Sequence, residues 1–157
     1  MNEELERYRA AQAACWLESV RAAGARAESL RKEAEALRED MAFVKGVDYS
    51  RGGGGPSDAD AIPRAVERLQ DSVERYALEL AAYAEMQADA HERLSLMRSH
   101  ECSECLRRRY LLRQEWADVC EAMGYTRDGM MKLRRRALAE AWGVAPLRWR
   151  DPAHPAI

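Results

Sequence analysis

Residues Trp116 to Arg136, WADVCEAMGYTRDGMMKLRRR, decide how this chain is read. Trp116 to Met123 has the pattern of a short amphipathic helix. Gly124 ends it, because glycine takes the positive φ of a helix C-terminus without a Cβ penalty. Thr126 predicts an N-cap, its hydroxyl accepting one of the unpaired first-turn N–H groups of a second helix. That second helix carries Arg127, Lys132, Arg134, Arg135 and Arg136. Two helices, a tight turn and cations concentrated on the second form a helix-turn-helix pattern suited to a DNA major groove.

Helical spacing separates the two faces of this unit. Val119, Cys120, Met123, Tyr125, Met130 and Leu133 are predicted to face inward, with Trp116 anchored on Tyr110. Cys120 falls where the helices cross, which calls for a small side chain. Thr126, Arg127, Asp128, Met131, Lys132 and Arg135 face outward and are the candidates for base contact. An arginine fork matches guanine, and a carboxylate accepts from cytosine N4. Arg107, Arg108, Arg109, Arg134 and Arg136 are the phosphate-contact candidates. An Arg-rich helix end that merely complements the helix dipole explains one or two of these cations, not a cluster on two helices. Gly129 weakens the helix it occupies; close approach of backbone to DNA is the compensation considered for it.

Upstream, His100 to Arg113, HECSECLRRRYLLR, predicts a preceding helix with Cys105, Leu106, Tyr110 and Leu111 inward. Cys102 and Cys105 near His100 invite a metal reading, with His91 and Cys120 as the further donors. Zinc needs four ligands, and a CxxC on a helix without a second spaced pair reads as ordinary thiols. No metal and no cofactor is expected.

Further out, residues 2–47 place Ala13, Trp16, Val20, Ala23, Ala27, Leu30, Ala34, Leu37, Met41 and Val44 at alternating three- and four-residue spacing, a heptad seam. Leu5 and Tyr8 slip its register, so the first turns are expected to pack differently. A second seam runs Ile62, Val66, Leu69, Val73, Tyr76, Leu80, Tyr83, Gln87, Ala90, Leu94 and Met97. Between them VDYSRGGGGPSDAD breaks any helix. It lacks the strand and terminal Lys-Ser/Thr of a phosphate-binding loop, so it reads as a connector. The expected organisation is all-α: residues 1–97 an antiparallel helical hairpin with a Gly-rich connector at 48–60, residues 98–145 a three-helix helix-turn-helix domain, and residues 146–157 an irregular tail. A seam so rich in alanine buries little by itself, which points to a homodimer through the hairpin.

Charge is divided along the chain. The net value is −2, but residues 1–97 hold 13 Lys/Arg against 19 Asp/Glu, while residues 98–150 hold 12 against 7. The basic half suits nucleic acid and the acidic half does not. No apolar run reaches membrane-spanning length and the N-terminus lacks a signal h-region, so a cytoplasmic protein with reduced cysteines and no membrane partner is expected. No nucleophile with a base and no convergent acid–base pair is present, so no enzyme is expected.

The segment Leu106 to Leu138 resembles the region-4 helix-turn-helix of sigma factors, and more closely the phage-encoded late-gene transcriptional regulators of Gram-positive hosts. The resemblance rests on Arg109-Tyr110, Trp116, the turn Gly124-Tyr125-Thr126 and Arg136-Ala137-Leu138, with RGGGGPSDAD matching the connector of that family. It implies a sigma-region-4-like domain that binds a phage promoter and acts with host RNA polymerase. Two positions depart: Met131 stands where an aromatic or basic residue is common, and Gly129 where glycine is not. Both lie on the reading helix, so a target sequence is not inherited. No sigma region 2 is recognisable, so promoter melting is not expected of this chain alone. Two other classes fit a helix-turn-helix on a helical oligomeriser: a DNA-packaging recognition subunit of the small-terminase kind, and a module that binds a protein such as RNA polymerase.

Overall fold

The computed structural model describes residues 3–46 and 56–150, all helix and connecting turns. In chain order these are α1 (Glu3–Gly46), α2 (Pro56–Ser95), α3 (His100–Leu106), a π-helical turn (Arg107–Leu111), α4 (Trp116–Met123), α5 (Arg127–Trp142) and a 3₁₀ turn (Leu147–Trp149). The fold is therefore all-α, as the periodicity predicts. Most of the expected connector, residues 48–55, lies outside the described residues; the second helix already begins at Pro56.

The chain divides into two compact units. The first takes in residues 3–25 and 84–150. Its core gathers one stripe from each helix. Ala13, Trp16, Leu17 and Val20 come from α1, Ala90 and Leu94 from α2, Cys102, Cys105 and Leu106 from α3, Val119 from α4, and Met130, Leu133 and Ala137 from α5, all buried. Leu17 adds a position beside the predicted seam, because a helix packed in a globular core buries a wider stripe than a coiled-coil seam does.

Polar contacts fix this core at its corners. Ser99 N-caps α3, its Oγ accepting from the Cys102 N–H at 3.2 Å. Glu140 of α5 reaches the same helix end: its Oε1 accepts from the backbone N–H of Arg98 at 2.6 Å and of Ser99 at 3.0 Å. A carboxylate at a helix N-terminus satisfies orphan donors and favours the dipole. Ser103 Oγ donates to the Leu94 carbonyl at 2.8 Å, tying α3 back to α2.

After α3 the chain widens into the π-helical turn, where the Leu112 N–H bonds the Arg107 carbonyl five residues back at 3.0 Å. Tyr110 and Leu111 are both buried there. The chain then turns through Arg113, the one non-glycine residue with positive φ (57°) among the described residues.

The second unit holds residues 26–46 and 56–83. Arg26 donates to Glu79 at 3.2 Å, and a hydrogen bond to Glu33 raises the Tyr76 hydroxyl above its ordinary value. Rising numbers on α1 meet falling numbers on α2, which is the antiparallel register predicted. Ala27, Leu30 and Ala34 are buried. Ile62, Val66, Leu69, Val73, Tyr76, Leu80 and Tyr83 are only half-buried, while Leu78 and Phe43 are 73 % and 74 % exposed.

The stretch expected to be an irregular tail starts in an ordered state. Pro146 is buried, Trp149 packs half-buried on the core, and Arg150 donates to the Gly143 carbonyl at 3.3 Å. Residues 151–157 lie outside the described residues.

Candidate nucleic-acid interface

The turn between α4 and α5 forms as its residue types dictate. Gly124 has φ 72° and ψ 32°, and the Tyr125 N–H closes onto the Cys120 carbonyl at 2.9 Å. Thr126 stays extended, and its Oγ1 accepts from the Gly129 N–H at 3.1 Å, the predicted N-cap. Trp116 meets Tyr110 edge-to-face with ring centroids 6.3 Å apart. Val119, Met130 and Leu133 are buried; Cys120, Met123 and Tyr125 are half-buried against the same core. The α5 residues thus have a fixed base, which any reader of a rigid ligand requires.

Gly129 has a local explanation. A Cβ there would stand 3.1 Å from Thr126 Oγ1 and 3.3 Å from the Tyr125 ring. Glycine lets the capping hydroxyl and the tyrosine close over the first turn, so DNA need not be invoked for it.

All six base-contact candidates, Thr126, Arg127, Asp128, Met131, Lys132 and Arg135, are exposed. Among the described residues Arg127, Lys132 and Arg135 make no ion pair. They do not, however, form one open face. Arg7, Ala10, Ala11 and Ala14 of α1 line a cleft with Met131, Arg134, Arg135 and Leu138. Glu3, Glu6 and Arg7 line a second with Lys132, Arg135, Arg136 and Ala139. The first turns of α1 therefore run beside the middle of α5. Its N-terminal residues Thr126, Arg127 and Asp128 line neither cleft.

The phosphate-contact candidates are more engaged than their exposure in the sequence suggests. Arg107 and Arg108 both pair with Glu104, at 2.8 and 2.7 Å. Burial alone would raise the Glu104 carboxyl, but these two guanidiniums outweigh it and hold the group below its ordinary value. Arg109 pairs with Glu115 at 3.2 Å and donates to the Gln114 carbonyl at 3.1 Å. The Arg109 and Arg134 guanidiniums lie 5.2 and 5.1 Å from the Trp116 ring centroid. Arg136 donates to Glu101 at 3.3 Å; the other Glu101 oxygen accepts from the Tyr125 hydroxyl. These cations rigidify the frame around the turn. Their charge is partly answered within the protein.

The cysteines belong to the core. Cys102 and Cys105 are fully buried, and Cys105 Sγ is 3.6 Å from Met130 Sδ. Burial pushes the Cys105 thiol up to about 12, away from the thiolate that metal or redox chemistry uses. Among the described residues no three His, Cys, Asp or Glu converge on a metal position, and no helix is long and apolar enough to cross a membrane.

Sequence reasoning missed the α1 contribution. Arg9 lies with its guanidinium 4.3 Å over the Trp142 ring, and Trp142 Nε1 donates to Gln12 Oε1 at 2.8 Å. The available signal was the register slip at Leu5 and Tyr8, both half-buried here. No protein-family model matches the chain, and searches of curated proteins and of solved structures return no match.

Proposed function

We propose that the protein is a sequence-specific DNA-binding regulator of transcription, with α5 as its reading helix. The observation that carries this is the exposed N-terminal end of α5, bearing Thr126, Arg127 and Asp128 on a turn fixed by the Gly124 and Thr126 caps. A B-DNA major groove is roughly 12 Å wide and a helix with its side chains about 10–12 Å across, so one helix fills it. With α1 beside residues 131–138, α5 enters end-on. Arg127 and Asp128 then read base edges, while Lys132 and Arg135 stand toward the flanking phosphates. The resemblance of residues 106–138 to phage late-gene regulators supports transcription control with host RNA polymerase, in a bacterial cytoplasm. The half-buried seam of α2 supports a homodimer.

Selection of bound duplexes from a random pool, followed by affinity measurements across salt, tests this reading. Affinity should fall steeply and linearly in log–log form as salt rises. Arg127→Ala should lose about 1–3 kcal/mol of discrimination at one base position. Arg135→Ala should weaken every duplex alike and reduce the salt slope by about 1. Absence of duplex binding at low salt overturns the proposal.

A further inference from the structure

We infer that the first two turns of α1 act as an intramolecular competitor of DNA phosphate on the flank of α5; this rests on the DNA-binding reading above. Glu3 and Glu6 share a groove of about 500 Å³ with Lys132, Arg135 and Arg136. Glu4 adds a third carboxylate to the same first turn, against which only Arg7 is set before Arg9. That segment has a net charge of −2, and its one ion pair among the described residues is the internal Glu3–Arg7 contact at 3.6 Å. The carboxylates thus face the α5 cations across solvent without pairing directly. Such an arrangement lowers the positive potential that a phosphate meets, yet is easily displaced.

The attachment of α1 makes displacement local. From Arg9 onward the helix is held: Arg9 covers Trp142, Gln12 accepts from Trp142, and Ala13, Trp16 and Leu17 are buried. Before that clamp Glu3, Glu4, Glu6 and Arg7 are exposed. Leu5 and Tyr8 in these turns are half-buried, whereas Ala13, Trp16 and Leu17 behind them are fully buried. A less buried helix end opens at lower cost than the body of the helix, so the acidic turns can leave the groove while the clamp and the core stay intact. DNA binding and occupation of the groove by these turns are then mutually exclusive. The competitor sets a threshold: a duplex must offer enough phosphate contact to displace it.

The test compares three forms of the full-length protein on one selected duplex by fluorescence anisotropy. One is wild type. The second carries Glu3→Gln, Glu4→Gln and Glu6→Gln. The third carries Glu35→Gln, Glu39→Gln and Asp40→Asn, exposed residues of the same helix that line neither α5 cleft. The second form should bind about 3–10-fold tighter at low salt with a steeper salt dependence, because Lys132 and Arg135 then start without an internal counter-charge across the groove. The third should stay within about twofold of wild type. Equal tightening in both variants reduces the effect to net charge and overturns the inference, as does no tightening in the second. If wild type binds and neither variant differs, only the competitor falls. If none of the three binds duplex, the DNA reading falls and the competitor with it.

Discussion

The two units bury similar seams to very different depths. In the unit of residues 3–25 and 84–150, Trp16, Leu17, Leu94 and Leu106 are at most 2 % exposed. In the unit of residues 26–83 the deepest side chains are Ala27 and Ala34 at 5 % and Leu30 at 8 %, and no described α2 side chain there is buried. Three- and four-residue spacing runs through both, slipping in the first unit only at Leu5 and Tyr8. Two helices touch along a line, so the described α2 seam residues keep a flank in water. Adding α3, α4 and α5 closes those flanks. Periodicity specifies where a stripe lies, whereas the number of elements around it decides how much of the ~1.5–3 kcal/mol per large apolar side chain is realised.

The largest effect expected to separate the units comes from leucine truncation. Leu106→Ala should cost about 2–5 kcal/mol in chemical denaturation, since the cavity is enclosed. Leu69→Ala, half-buried in the second unit, should cost less than about 1.5 kcal/mol. Equal costs would mean that the α2 seam is covered in solution, as a dimer would cover it. Next comes Gly124→Ala. Beyond the adjoining residues no atom lies within 4 Å of the added Cβ, so its expected cost of about 1–2 kcal/mol is the left-handed backbone alone; thermal melts read it. Thr126→Ala should cost about 1 kcal/mol by orphaning the Gly129 N–H. Hydrogen exchange should localise that loss to the first turn of α5.

The smallest effect is pH-dependent. Glu104 titrates below its ordinary value of 4.5 in the folded protein. Its contribution is therefore present above that value and is lost as pH falls through the depressed one. Glu104→Gln should flatten the acid limb of a stability–pH profile. An unchanged limb would show that Arg107 and Arg108 gain nothing net from the pairing.

Much of this arrangement was legible in the residues. Gly124 and Thr126 fixed the turn, and three-four spacing fixed α1 and α2, because both signals are local. The pairing of Arg107 and Arg108 with Glu104 was also legible in principle, since three- and four-residue spacing puts them on one helix face. The approach of α1 to α5 was not. Gln12 and Trp142 are 130 residues apart; the register slip at Leu5 and Tyr8 signals that the first turns of α1 pack differently, but not that α5 is what they meet. The π-helical turn was equally hidden, because it reflects how Tyr110 and Leu111 reach the core rather than any turn chemistry of their own. What changed most is the candidate face. Outward spacing made Thr126 and five residues of α5 equivalent, and the structure divides them into an open end and a flanked middle.

Glu140 gives the molecule a joint without play. It belongs to α5, yet it grips the backbone at Arg98 and Ser99, where the short link from α2 enters α3. The last turns of α2 and the body of α5 are thereby coupled like a shaft and its key. The last two residues of the four-residue link are thus tied to a side chain of α5. Glu140→Ala would loosen that key while leaving both Ser99 and the α5 cap at Thr126 in place.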